Sequence, residues 1–162
     1  MTPRRVVTQS DATIVAVDPG ITGAYAIFHQ GEADAYDTPV LTVTKSRKTM
    51  DLHVLWTILE SLPGATMVIE EVNARPGMGV ASMFNFGKNM GQWEALAVAA
   101  GMKLVRARPQ EWKKEFHLIK KPKDSAIRIA QELFKNFSPT RKKDVNKADA
   151  LLIGEYARRK LL

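Results

Sequence analysis

The stretch TIVAVDPGITGAYAIFHQGEADAYDT, residues 13–38, decides how the rest of the chain is read. Thr13–Val17 is a short apolar run of the kind that forms a strand buried on both faces. It stops at Asp18-Pro19-Gly20, a turn signal. Ala24–His29 and Ala33–Thr38 read as two further strands joined around Gln30-Gly31, so the opening is an antiparallel meander. Asp18 therefore stands at the carboxyl end of a buried strand, where open α/β sheets bind ligands. An Asx-turn with Pro19-Gly20 is the plainer use of the same residue.

Outward from this meander, Thr42–Lys48 is polar and reads as loop. Asp51–Leu62 places Leu52, Leu55, Trp56 and Leu59 at helical spacing and is stopped by Pro63-Gly64. Thr66–Val72 (TMVIEEV) is a buried-type strand, Asn73–Gly79 a loop, and Ser82–Ala100 a long helix that Gly101 ends. Lys103–Ala107 is a fifth strand, and Pro109 opens a short helix through Glu115. A basic loop, His117–Lys123, precedes a helix that Asp124 can cap and that runs through Phe137. A last helix runs from Asp144 or Val145 through Lys160. The pattern predicts one α/β domain over residues 12–162, a five-stranded mixed sheet flanked by helices, with residues 1–11 as a loose tail.

Composition narrows the function classes. The 162 residues include no cysteine, which excludes thiol nucleophiles, zinc–cysteine sites and disulfide scaffolds. No apolar run approaches the ~18–20 residues of a membrane span, so a soluble, intracellular chain is expected. Residues 1–102 carry 7 basic and 10 acidic side chains, residues 103–162 carry 17 and 7. A neutral-to-acidic half joined to a strongly basic half is the charge pattern of a nucleic-acid partner. The three histidines, His29, His53 and His117, show no ligand spacing, and neither a dinucleotide fingerprint nor a P-loop is present.

Four carboxylates stand where core packing does not account for them: Asp18, Glu70 and Glu71 in an otherwise buried strand, and Asp149 between Ala148 and Ala150 ahead of Leu151-Leu152-Ile153. Unpaired buried carboxylates cost several kcal/mol, so such groups are exposed, paired or metal-bound. If the sheet gathers Asp18, a strand glutamate and Asp149, their repulsion calls for hard divalent cations, Mg²⁺ first. Glu70 and Glu71 point to opposite faces of their strand, and the sequence leaves open which face looks toward Asp18. On the Ser82–Ala100 helix, Met83, Phe84, Phe86 and Met90 fit a core face or a face shared between subunits. Gly87 and Gly91 permit close approach there.

The stretches IVAVDPGITGAYAIF, TMVIEEV, FNFGKNMGQWEAL, RARPQEWKK, KPKDSAIRIAQELF and NKADALLIGEYA, in this order between residues 13 and 157, resemble the RuvC family of Holliday-junction resolvases, nucleases of the RNase H-like superfamily. The GKNMGQWE and PQEWKK segments look most like phage-type members. The resemblance implies an RNase H-like fold and a Mg²⁺-dependent endonuclease, two ions per site with Mn²⁺ as a substitute. It also implies a homodimer, here through helix 82–100, cutting four-way DNA junctions in the cytoplasm of a bacterial or phage-infected cell. Asp18, Glu70 rather than Glu71, and Asp149 match the family's acidic ligands. The usual fourth acid, one helical turn before the last, is Asn146 here; Asp144 is a poor substitute, about 140° around the helix from Asp149 against about 60° for Asn146. Lys123 matches the basic residue near the scissile phosphate. The family's aromatic residue after the glutamate has no counterpart, since Asn73 and Arg75 occupy that region.

The implied roles are then catalysis by Asp18, Glu70, Asp149, Asn146 and Lys123, the first four residues other than Lys123 as metal ligands. Arg75, Lys88, Arg108, Lys113, Lys114, Lys120, Lys121 and Lys123 are the candidates for DNA phosphates. Rival readings are an RNase H-like nuclease for flaps or forks, a junction-binding protein weakened by Asn146, and a small phosphotransferase using the Asp-x-Gly turn.

Overall fold

A computed structural model describes residues 12–162; the expected tail, residues 1–11, lies outside the described residues. The main sheet is built from β1 (Ile14–Asp18), β2 (Ala24–His29), β3 (Glu32–Asp37), β6 (Thr66–Glu70) and β7 (Lys103–Ala107), in the order β3-β2-β1-β6-β7. The first three strands form the expected antiparallel meander, whereas β6 and β7 join parallel to β1, giving the expected five-stranded mixed sheet.

Alternation along the central strands divides the interior in two. Val15, Val17, Met67 and Ile69 face α1 (Leu52–Glu60) and α2 (Val80–Ala99), packing with Leu55, Leu59, Trp93 and Ala97. Ile14, Ala16 and Val68 face the other way, toward α3 (Pro109–Glu115), α4 (Ser125–Leu133) and α5 (Val145–Lys160). The first layer starts cleanly because Asp51 Oδ1 accepts from the Val54 amide at the head of α1. In the second layer, α5 lies unusually close to the sheet. A Cβ on Gly154 would run into the Phe28 ring and come within 3.0 Å of the Ala16 Cβ, so only glycine lets the helix sit there.

Three expectations are corrected. Thr42–Lys48 is not loop: β4 (Val40–Thr44) and β5 (Arg47–Met50) form a separate two-stranded hairpin, with an irregularity between Thr42 and Thr44. The β-branched Val40, Thr42, Val43, Thr44 and Thr49 favour this conformation. The helix after Asp124 ends at Leu133, not Phe137, because Phe134 turns to extended backbone and sets its ring edge-on to Phe28 at 5.8 Å. The strand from Thr66 ends at Glu70, two residues early, although the Glu71 amide still donates to the Ala107 carbonyl at 2.9 Å.

Candidate active site

The register of the sheet places the first two acids. Val17 pairs with Ile69 across the parallel β1–β6 ladder, and Asp18 and Glu70 are the next residue on each strand. They share the face of Ala16 and Val68, which is the face that α5 covers. That packing resolves the ambiguity between the glutamates. Glu70 is buried on the α5 side, while Glu71 turns away and lies 3.8 Å from the Arg108 guanidinium. Asp149, on α5, completes the group. Asp18, Glu70 and Asp149 line one cavity of about 480 Å³ at the carboxyl end of β1 and β6.

Cations rim this cavity: Arg75, Lys113, Lys120, Lys121 and Lys123 all line it. Of the sequence-derived candidates for DNA contact, Lys88, Arg108 and Lys114 do not. Lys88 and Lys114 are exposed on α2 and α3, and Arg108 is spread between Glu71 and Glu111, 3.8 Å from each. At 72% side-chain exposure those ion pairs hold Arg108 only weakly.

The electrostatics are those of acids crowded out of water. Burial raises Asp18 well above the usual carboxylate range; the charges of Glu70 and Asp149 push the same way, and Lys123 opposes them. Burial also raises Glu70, against the pull of Lys113, a hydrogen bond from Asp18, Trp112 and Arg75. Asp149 is pushed up to about 7, by burial first and by Glu70 second, with Lys113 and Lys123 opposing. None of the three forms a direct ion pair with any described Lys or Arg.

Three hard oxygen donors with surplus negative charge suit a divalent cation of the Mg²⁺ class. Among the described residues, no three acidic or histidine side chains stand close enough together, as they are, to hold a metal ion. The donor chemistry fits, and a cation would have to draw the carboxylates together.

Asn146 has another occupation. It does not line the cavity, and its amide Nδ2 donates to the Thr22 carbonyl at 2.7 Å. The acceptor is a carbonyl, so the nitrogen must face it, and Oδ1 points elsewhere. Thr22 belongs to the Pro19–Gly23 turn that carries Asp18. That turn is closed by the Gly23 amide donating to the Gly20 carbonyl at 3.0 Å, and it is so tight that a Cβ on Gly23 would collide with the Asp18 carbonyl. Asn146 therefore ties α5 to the Asp18 turn. Asp144 is likewise committed: it is buried, accepts from the Thr140 and Arg141 amides at 2.9 Å, and is held below the usual carboxylate range chiefly by Arg141 and these amides against the effect of burial.

Two contributors lacked a sequence signal strong enough to single them out. Trp112 is fully buried and lines the cavity. Its indole N–H favours ionised Glu70 without making a hydrogen bond of ordinary geometry. Phe86, whose helical spacing suggested core or interface, also lines the cavity, and its ring lies where a Gly20 Cβ would be 3.6 Å away. A second hollow, about 540 Å³, lies at the opposite end of the sheet beside Phe28 and His29. The buried acid in its lining, Glu155, is already engaged by Arg158 and Arg159.

No family model matches the sequence, and no curated protein sequence matches it. The solved structures do. Thermus thermophilus RuvC is similar with a TM-score of 0.61, at 14% identity, over 91% of this chain and 95% of that one. T. thermophilus RuvC in complex with Holliday junction substrate gives 0.61 at 12% identity, over the same shares. The chain has an RNase H-like fold of the RuvC-like kind.

Proposed function

We propose that this chain is a Mg²⁺-dependent endonuclease of branched DNA that cuts four-way junctions in paired, symmetric nicks. One observation carries the reading: three carboxylates from β1, β6 and α5 meet in a single cavity whose rim is cationic. The RuvC-like fold supports it, as does the neighbour solved on a Holliday junction substrate.

Asp18, Glu70 and Asp149 would hold the metal, two ions as the resemblance implies, with Mn²⁺ as a substitute. Bound divalent cations supply an ionised water and stabilise the leaving oxygen of a phosphodiester. To accept a cation, the site must hold Asp18 and Asp149 ionised against the burial that raises both. Lys123 favours ionisation of both through its charge, and Lys113 that of Asp149. Trp112 holds Glu70 toward its ionised form. Lys123, exposed at the rim, meets the phosphate beside the cut, and Arg75, Lys120 and Lys121 hold the flanking backbone. Lys88, Arg108 and Lys114 extend this contact outside the cavity.

The first half of α2 supports a homodimer. Val80 is 80% exposed and Phe84 is 69% exposed, and open space lies beyond Gly87 and Gly91. Two copies would present two cavities to opposing strands of a nearly two-fold junction. The bond from Asn146 to Thr22 favours a second reading, a junction-binding protein with weakened cleavage, because it leaves the site with three acids. A synthetic mobile four-way junction with Mg²⁺ or Mn²⁺ decides between them. Paired nicks that disappear in Asp18→Asn support the nuclease, and tight binding without nicks supports the binding protein. Equal handling of junction, fork and linear duplex removes the preference for junctions.

A further inference from the structure

The β4–β5 hairpin is the part of the fold that the main cores do not explain. A two-stranded hairpin is marginal in water unless it packs on something. Here β4 and β5 pack mainly against each other, and every residue from Val40 to Lys48 is open to solvent; Thr49 is half-buried, and only Met50, at the foot, is buried in the core.

Its place and its charge are specific. The hairpin springs from the cavity end of the sheet. Asp18 pairs with Ala24 and Ala24 with Asp37, and just beyond them the Thr38 amide donates to the Gly23 carbonyl at 3.1 Å. The Asp51 amide donates to the Pro39 carbonyl at 2.9 Å and closes the base. Between Asp37 and Asp51 there is no acid, while Lys45, Arg47 and Lys48 cluster at and beside the tip. Both flanking acids are already engaged. Asp37 is matched by Arg141, Lys143 and Lys147, and Asp51 caps α1. None of the three hairpin cations has an ion-pair partner among the described residues. They stand in solvent, open to a polyanion.

We infer that the hairpin is a second DNA-binding element, apart from the carboxylate cavity, which grips the sugar-phosphate backbone of one duplex arm through Lys45, Arg47 and Lys48. The inference rests on the nuclease reading above, since that reading supplies the polyanion at this end of the sheet. A two-stranded ribbon has the dimensions of a groove-reading element. At ~3.3 Å per residue, the five residues of β4 extend about 17 Å, roughly five phosphates along one strand. The tip therefore contacts an arm away from the bond being cut. Hydroxyls of Thr42, Thr44 and Ser46 stand exposed beside the cations as further phosphate donors.

The test is fluorescence anisotropy of a labelled four-way junction in EDTA, from about 50 to 300 mM salt, with the whole 162-residue chain. Each phosphate contact contributes about 0.9 to the slope of log affinity against log salt. The Lys45→Ala/Arg47→Ala/Lys48→Ala variant, with three contacts removed, is expected to lose about 2.7 units of slope, and at least tenfold in affinity near 0.1 M salt. Lys45→Arg/Lys48→Arg retains both, which separates loss of charge from collapse of the hairpin. Unchanged slope and affinity in the alanine variant overturn the inference while leaving the nuclease reading intact. So does equal loss in the arginine variant. If the unaltered protein binds no branched DNA, the nuclease reading fails and the hairpin inference fails with it.

Discussion

Replacing Asn146 by aspartate restores the fourth acid expected from the resemblance, and the structure predicts that it does harm. The amide donates to the Thr22 carbonyl at 2.7 Å. Asn146→Ala loses that bond, worth about 1 kcal/mol net. Asn146→Asp also sets a charged oxygen against the carbonyl it replaced, adding roughly 1–3 kcal/mol. Residue 146 lies in the first turn of α5, where a negative charge gains about 0.3–1 kcal/mol from the helix dipole. The net expectation is a loss of about 1–3 kcal/mol for aspartate, or roughly 2–12 °C in Tm for a chain of this size. Because the strained turn carries Asp18, junction cleavage should fall as well, and the Mg²⁺ needed for half-maximal rate should rise. Thermal melts and Mg²⁺ titrations of cleavage, for the native chain and both variants, measure this. An aspartate variant as stable as the native protein, cutting faster at low Mg²⁺, would refute the tether and make residue 146 a ligand position.

Three further expectations follow from the same geometry. Asp149 is raised from 3.8 to about 7, so the folded state keeps a proton that the unfolded state has lost between those values. Its contribution to cation-free stability is complete below pH ~4 and gone above pH ~7; Asp149→Asn should be the more stable protein in EDTA at pH 8, by up to ~4 kcal/mol at 1.36 kcal/mol per unit. The gap should close at pH 4, and melts at the two pH values check it. Glu70→Gln should abolish cleavage and Glu71→Gln should leave it within about twofold, because only Glu70 lines the cavity; the reverse result would place the wrong face toward α5. Gly154→Ala should cost roughly 1–3 kcal/mol through the clash with Phe28 and Ala16, read by denaturant melts.

Much of this was legible in the chain, and the reasons for the gaps are physical. Buried strands announce themselves by apolar runs, and Asp18 stood out because it ended one. The choice between Glu70 and Glu71 was not legible from the strand. A strand covered on both faces has no polar side to orient it, and only the position of α5 breaks the symmetry. The resemblance favoured Glu70, and the packing gives that preference its cause. The hairpin escaped because alternation reports burial, and a ribbon that buries almost nothing has no alternation to report. Lys113 looked like one surface cation among many. Its charge on Glu70 and Asp149, and its position 5.3 Å over the Trp112 ring, depend on how α3 packs under the cavity.

The third carboxylate also sets a timetable. Asp18 and Glu70 lie on strands that are synthesised early, but Asp149 arrives on α5, and its helix can settle onto β1 and β2 only when Gly154 and the residues around it have left the ribosome. At translation rates of ~5–20 residues per second, the interval between Asp18 and Asp149 is on the order of ten seconds. Throughout it the nascent chain holds an incomplete set of acids. Chains cut short before α5 should be inert toward DNA in a nicking assay. On the nuclease reading, a chain assembled this way stays harmless to nearby nucleic acid until α5 has been made.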